Sequence, residues 1–257
     1  MFAVSRDAIL GTIRRGLRRG ELDADTRARL EERLRAPRRH LIPLRSLVPH
    51  AEQVAMFARH VEKEFGTVAR VASGEDVPAA VADYLAAQNL PSEAAVGAHP
   101  ELRALPWHVR PLLVLREGVA VGADMVSIQQ GFAGIAETGT LMLPSGPERP
   151  TTLNLLADTA IVVLRASRVV GPYEDAWDLL RREREAAGTG AMPRNVMLVT
   201  GPSRSADIEQ TLELGAHGPR RLHVVLIDDV EAGMGGSGTA DAGGADASGL
   251  DAGGAAP

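Results

Sequence analysis

Short apolar segments with prominent β-branched residues recur along this chain at residues 118–125, 140–143, 160–164, 195–200 and 222–227. A further one stands at 67–72, and helical patterns fall at 76–88 and 175–187. A strand that shows no polar face must be covered on both sides, which an α/β protein achieves by laying helices over a mainly parallel sheet. The expected fold is a three-layer α/β core with an open, mainly parallel sheet. A helix-period pattern at 47–65, with Val48, Val54, Phe57, Ala58 and Val61 on one side, supplies one of the covering helices. No Gly-x-Gly-x-x-Gly opens the first strand-helix unit, which argues against a dinucleotide fold.

Two other regions differ in composition. Residues 3–17 and 26–34 read as helices punctuated by Pro37 and Pro43, and residues 1–45 carry twelve Arg against six Asp and Glu. The chain as a whole has a net charge of −5, so the remainder is acidic. Acids interleave with these arginines and Phe2 is the only aromatic among them, so the stretch lacks the basic, aromatic-studded stripe of a nucleic-acid binder. Residues 231–257 are almost wholly Gly, Ala, Ser and Asp, too poor in apolar surface to offset chain entropy, and are expected to be disordered. The expected division is an N-terminal helical extension over 1–44, an α/β domain over 45–230 and a tail over 231–257. No apolar run reaches the ~20 residues that span a bilayer, and the first twenty residues lack the continuous apolar stretch of a secretory signal, so a cytoplasmic protein is expected.

The chemistry open to the chain is bounded by what it lacks. There is no cysteine, hence no disulfide, thiolate nucleophile or cysteine-ligated iron-sulfur cluster. Its one lysine, Lys63, stands between Glu62 and Glu64, unlike the desolvated lysine a Schiff base requires. The histidines show no metal-ligand spacing. No metal or cofactor is expected.

Three motifs hold most of the usable chemistry. Gly201-Pro202-Ser203-Arg204-Ser205 follows the 195–200 segment and reads as a strand-to-helix corner, offering backbone amides, hydroxyls and a guanidinium to an anion. Ser205 as N-cap, with Asp207 and Glu209 in the first turn, is the purely structural alternative, and the two are compatible. The acids favour a monocarboxylate over a triphosphate. Gly215-Ala216-His217-Gly218-Pro219 places a histidine at what reads as a helix end, where it serves as acid, base or donor, or bonds a terminal carbonyl. Ala136-Glu137-Thr138-Gly139-Thr140-Leu141 is a polar turn entering a strand, with Glu137 as general base, ligand donor or exposed turn residue. Ser127, Gln129 and Gln130 add neutral hydrogen-bonding groups, equally compatible with a pocket or with solvent. Trp107 and Trp177 read as packing anchors.

Together these three ordered motifs resemble the LUD-domain family, and within it the LutC/YkgG lactate-utilization branch. The resemblance covers roughly residues 45–230, and Ser205 stands where threonine is expected. It implies a NagB/RpiA/CoA-transferase-like fold with a site at the strand ends. It also implies a role in oxidising L-lactate to pyruvate beside two partner proteins, with iron-sulfur subunits as the redox machinery. On this reading the chain is a non-redox accessory subunit binding a small carboxylate or its partner subunits. Arg204 and Ser203 hold the anion with Gly201, Ser205, Thr138 and Gly139 around it, His217 donates a hydrogen bond or proton, and Glu137 orients the ligand. The alternatives are a stand-alone enzyme on a phosphorylated sugar or acyl-CoA-type substrate, with Glu137 as base or nucleophile and His217 as acid, and a scaffold docking through residues 1–42.

Overall fold

A computed structural model describes residues 5–18, 20–190, 192–206 and 212–230. The chain opens with two helices, α1 (Arg6–Gly16) and α2 (Ala24–Arg35), whose N-caps Ser5 and Asp23 accept from the amides of Ala8 and Thr26. Neither contributes a buried residue. Then come α3 (His50–Lys63), β1 (Thr67–Val71), α4 (Val77–Ala87), β2 (Glu93–Val96), the one-turn α5 (Pro100–Arg103), β3 (Val114–Glu117), β4 (Val126–Gln130), β5 (Ala133–Ile135) and β6 (Thr140–Pro144). The remainder is β7 (Thr159–Arg165), β8 (Val169–Val170), α6 (Tyr173–Ala186), β9 (Val196–Val199), β10 (Arg204–Ala206), β11 (Leu212–Leu214) and β12 (Arg221–Ile227).

Six strands form a parallel sheet in the order β1-β12-β7-β4-β2-β3. Because side chains alternate across a strand, β7 and β12 feed two cores at once. Ala160, Val162, Leu164, Leu222, Val224 and Leu226 pack under α3, which buries Val54, Met56, Phe57 and Val61. Ile161, Val163, Val225 and Ile227 pack on the opposite face with Val77, Val81 and Leu85 of α4. This is the expected three-layer α/β arrangement, and the double burial accounts for the lack of a polar face in 160–164 and 222–227.

A second, four-stranded sheet, ordered β8-β5-β6-β9, stacks beside α3 through Ala136, Leu141 and Leu143. Its outer face, with Ala133, Ile135 and Met142, is covered by Ala176 and Leu180 of α6. The chain passes from one sheet to the other across Gly131. A Cβ there would lie 2.9 Å from Val162 Cγ1, so only glycine admits the crossing at this spacing.

Two expectations are corrected. Residues 118–125 are not a strand: they form the connection from β3 to β4, with Val119 and Val121 exposed. Asp124 closes that loop by accepting from the Val121 amide at 2.6 Å and pairing with Arg116, and Gly118 adopts φ +129°. Residues 195–200 do form a strand, β9, but it runs antiparallel to β6 in the second sheet, outside the parallel one.

Candidate functional site

The Glu137 turn joins β5 to β6 and is pressed onto the end of α3. Gly139 has φ +68°, and a Cβ on it would sit 2.6 Å from both His60 Cβ and the Val61 amide nitrogen, so glycine is required twice over. His60 Nδ1 lies 2.9 Å from the Ala136 carbonyl oxygen and ties helix to turn. Beside it four hydroxyls share hydrogen bonds. Thr138 Oγ1 lies 2.7 Å from Thr140 Oγ1, both lie 2.9 Å from the Tyr173 hydroxyl, and Thr140 Oγ1 is 2.5 Å from Thr200 Oγ1. Glu137 is not an exposed turn residue. Its side chain is 12% exposed and its carboxylate accepts from Arg45 Nη2 at 3.2 Å.

The Gly201 corner differs from its sequence reading. No helix starts there: Arg204–Ala206 is a strand, β10, paired antiparallel with β11, with Ser205 opposite Glu213. Ser205 is therefore no N-cap, and Gly215 follows the strand β11 rather than ending a helix. Asp207 and Glu209 lie outside the described residues. Gly201, at φ +91°, is held against the backbone of Glu64. Arg204 donates to Glu64 Oε2 at 3.0 Å, and its guanidinium carbon lies 4.2 Å from the centroid of the Phe65 ring. Its charge is already matched.

The Gly201 and Gly215 motifs do meet. Ser203 donates its amide to the Pro219 carbonyl at 2.8 Å, accepts from Gly215 N at 3.0 Å through its own carbonyl, and accepts from the His217 amide at 3.2 Å through Oγ. His217 itself is exposed. The cavity between Gly201, Pro202, Pro219, Gln129, Asn154 and Leu222 has a volume of about 20 Å³, the size of one water molecule. All three motifs thus gather around the last turn of α3 and the entry to β12, where Arg220 and Arg221 both pair with Asp158 just ahead of β7. That is the N-terminal edge of the parallel strands.

At their C-terminal edge, where open α/β sheets hold ligands, is a second polar cluster that the motifs did not mark. Gln130 ends β4 and is buried, and its Oε1 accepts from Arg149 Nε at 3.0 Å and Nη2 at 2.7 Å. His99, which follows β2, lies with Nε2 2.9 Å from Arg149 Nη2. A guanidinium has no lone pair to offer, so His99 Nε2 is the acceptor and the ring is neutral. Burial, and then the neighbouring Arg149 charge, push the His99 pKa below its ordinary value. Burial likewise lowers that of Arg149. Arg168, just beyond β7, donates to the Phe132 carbonyl at 2.8 Å, covers the Phe132 ring at 4.6 Å and pairs with Glu183. Between Phe132, the 144–149 turn and α6 opens a cleft of about 290 Å³. Gln130, flagged as a neutral group near a pocket, does not itself line this cleft; it reaches it only through Arg149, which does. Ser127, also flagged, is buried and donates to the Leu153 carbonyl at 2.7 Å. Among the described residues no group of His, Asp and Glu is arranged to hold a metal ion.

The family model of the LUD domain matches residues 54–227, more than half of the chain. Among curated relatives, an uncharacterized protein of Neisseria meningitidis serogroup B is 42% identical over 105 residues, 39% of this chain and 43% of its own length. The lactate utilization protein C of Bacillus subtilis is 35% identical over 95 residues, 37% of this chain and 39% of the relative. That of Shouchella clausii is 34% identical over 109 residues, 42% of this chain and 46% of the relative. Each alignment spans less than half the relative's length. In three dimensions the chain is similar to the crystal structure of a DUF162 family protein from Deinococcus radiodurans, with a TM-score of 0.53 and 17% identity over 70% of this chain and 99% of the other, a likeness of fold alone.

Proposed function

Because the chain belongs to the LUD-domain family, we propose that it is a non-redox accessory component of a system oxidising L-lactate to pyruvate, binding a small carboxylate or docking on partner subunits. The observation that carries this reading is the domain match over 54–227 together with relatives named lactate utilization protein C at 34–35% identity. Oxidising the lactate hydroxyl to a ketone removes two electrons and two protons. A chain without cysteine cannot ligate an iron-sulfur cluster through thiolates, so in this proposal iron-sulfur partner subunits take the electrons. The chain contributes recognition, and no helix among its described residues is long and apolar enough to cross a membrane.

The test is growth on L-lactate as sole carbon source, in a strain whose other lactate dehydrogenases have been removed. Deleting this gene should stop growth, and restoring it should rescue growth. Undiminished growth of the deletion strain would overturn the assignment.

A further inference from the structure

The strand-end cleft contains a cation set up differently from the other arginines of the core. Arg149 is held at its backbone by a tight turn, in which Gly146 N donates to the Arg149 carbonyl at 3.2 Å and Arg149 N to the Gly146 carbonyl at 3.1 Å. Its side chain is fixed by Gln130 and His99, two neutral acceptors on the ends of separate strands. Among the described residues it makes no salt bridge and its Nη1 donates to nothing. Arg168, Arg204, Arg220 and Arg221 each pair with a carboxylate. Holding a guanidinium partly out of water against neutral groups costs stability. An arriving anion offsets that cost, and the planar fork suits a carboxylate.

We propose that this cleft is the binding site of a small monocarboxylate, anchored by the Arg149 guanidinium. Size and charge both restrict the ligand. The volume of about 290 Å³ lies at the lower end of the ~300–1,000 Å³ range of small-molecule sites. The lining carries Arg149 and Arg184 with Glu148 and Glu183, and Arg168 outside it pairs with Glu183. The two glutamates oppose a phosphate dianion more than a monoanion. Phe132 and Leu180 supply an apolar wall for the methyl end of a short acid. The choice of a carboxylate rests on the lactate-utilization reading; the location of the site does not.

The experiment is calorimetric titration of the purified full chain with L-lactate, pyruvate, acetate and inorganic phosphate, repeated on R149Q and on G146E. The second variant adds a carboxylate at the mouth of the cleft, where a Cβ meets nothing within 4 Å, so it keeps the test alive should R149Q fail to fold. Thermal unfolding checks that each variant is folded. The expected result is saturable binding of lactate or pyruvate, weaker binding of phosphate, and a loss of about tenfold or more in both variants. Three results would each overturn the proposal: no saturable carboxylate binding by the parent protein, tighter binding of phosphate, or affinity within about twofold of the parent in a folded variant. Loss of binding in R204Q but not in R149Q would move the site to the Gly201 corner. None of these readouts depends on growth. Failure here therefore leaves the pathway assignment standing, and failure of the growth test leaves the site standing.

Discussion

His223 stacks on Tyr84 with ring centroids 3.8 Å apart and planes within 8° of parallel. The imidazole sits on β12 beneath α4, 4% exposed, with Thr67 Oγ1 2.8 Å from Nδ1 and no partner for Nε2 among the described residues. Burial pushes its pKa down to about 4. A depressed histidine pKa means that the unfolded chain takes up a proton before the folded one does. Stability is therefore complete above about pH 6.5, falls as the pH drops, and levels off below about 4, a loss on the order of 3 kcal/mol. Urea unfolding between pH 7 and 4 should show this loss in the parent protein relative to His223→Phe, in which the group is absent. Parallel pH profiles would contradict it.

Gly139→Ala should destabilise the fold by about 2–4 kcal/mol, since it combines the left-handed backbone penalty with a clash against α3 that the helix backbone cannot relieve. Gly146→Ala, with open space around its Cβ, should stay within about 0.5 kcal/mol of the parent. Chemical denaturation of the pair measures the difference, and equal midpoints would refute it.

Tyr173→Phe removes a hydroxyl shared by Thr138 and Thr140, at the N-terminus of α6. The expected cost is about 1–2 kcal/mol. Because the remaining hydroxyls still have Thr200 to bond, Thr140→Val in the same background should add less than it costs alone. A double-mutant cycle reads the coupling directly.

Deleting residues 1–42 should leave the stability of the remainder within about 1 kcal/mol, because α1 and α2 bury nothing and the segment after them meets the core through exposed polar contacts of Arg39 and His40. A large fall in the unfolding midpoint would show that the extension is integral to the fold.

The main sheet could be read from the sequence where burial on both faces erased alternation, as in Ile161-Val162-Val163-Leu164, or where a helix face was long enough to show its period, as in Val54-Phe57-Val61. In the second sheet only β6 and β9 were visible, as the apolar segments 140–143 and 195–200, and their separate pairing was not. Ala133–Ile135 and Val169–Val170 are three- and two-residue strands, too short for any periodicity, and their pairing depends on a crossover at Gly131. Val119 and Val121 imitate a strand by alternating, while Asp124 and Gly118 in fact close a loop around them.

The motifs reported proximity correctly and chemistry only in part. Ser203 and His217 do meet, but through the His217 amide, which any residue there would supply. Arg204 looked like a free cation because Glu64, its partner, stands 140 residues away in sequence. Arg149 went unnoticed for the converse reason. Its partners Gln130 and His99 are 19 and 50 residues off, and only the parallel order of β2 and β4 brings them to one edge.

The segment that follows α2 is fastened to the body by charge. Arg39 pairs with Asp175 and reaches Asp178 at 3.7 Å, and the His40 amide donates to Glu174 at 3.0 Å. Added salt weakens such contacts between exposed groups, whereas strongly excluded salts such as sulfate reinforce the burial that holds the sheets together. The two parts of the molecule thus answer the same change of medium with opposite sign, so ionic strength alone can loosen the extension from a core that it leaves firm.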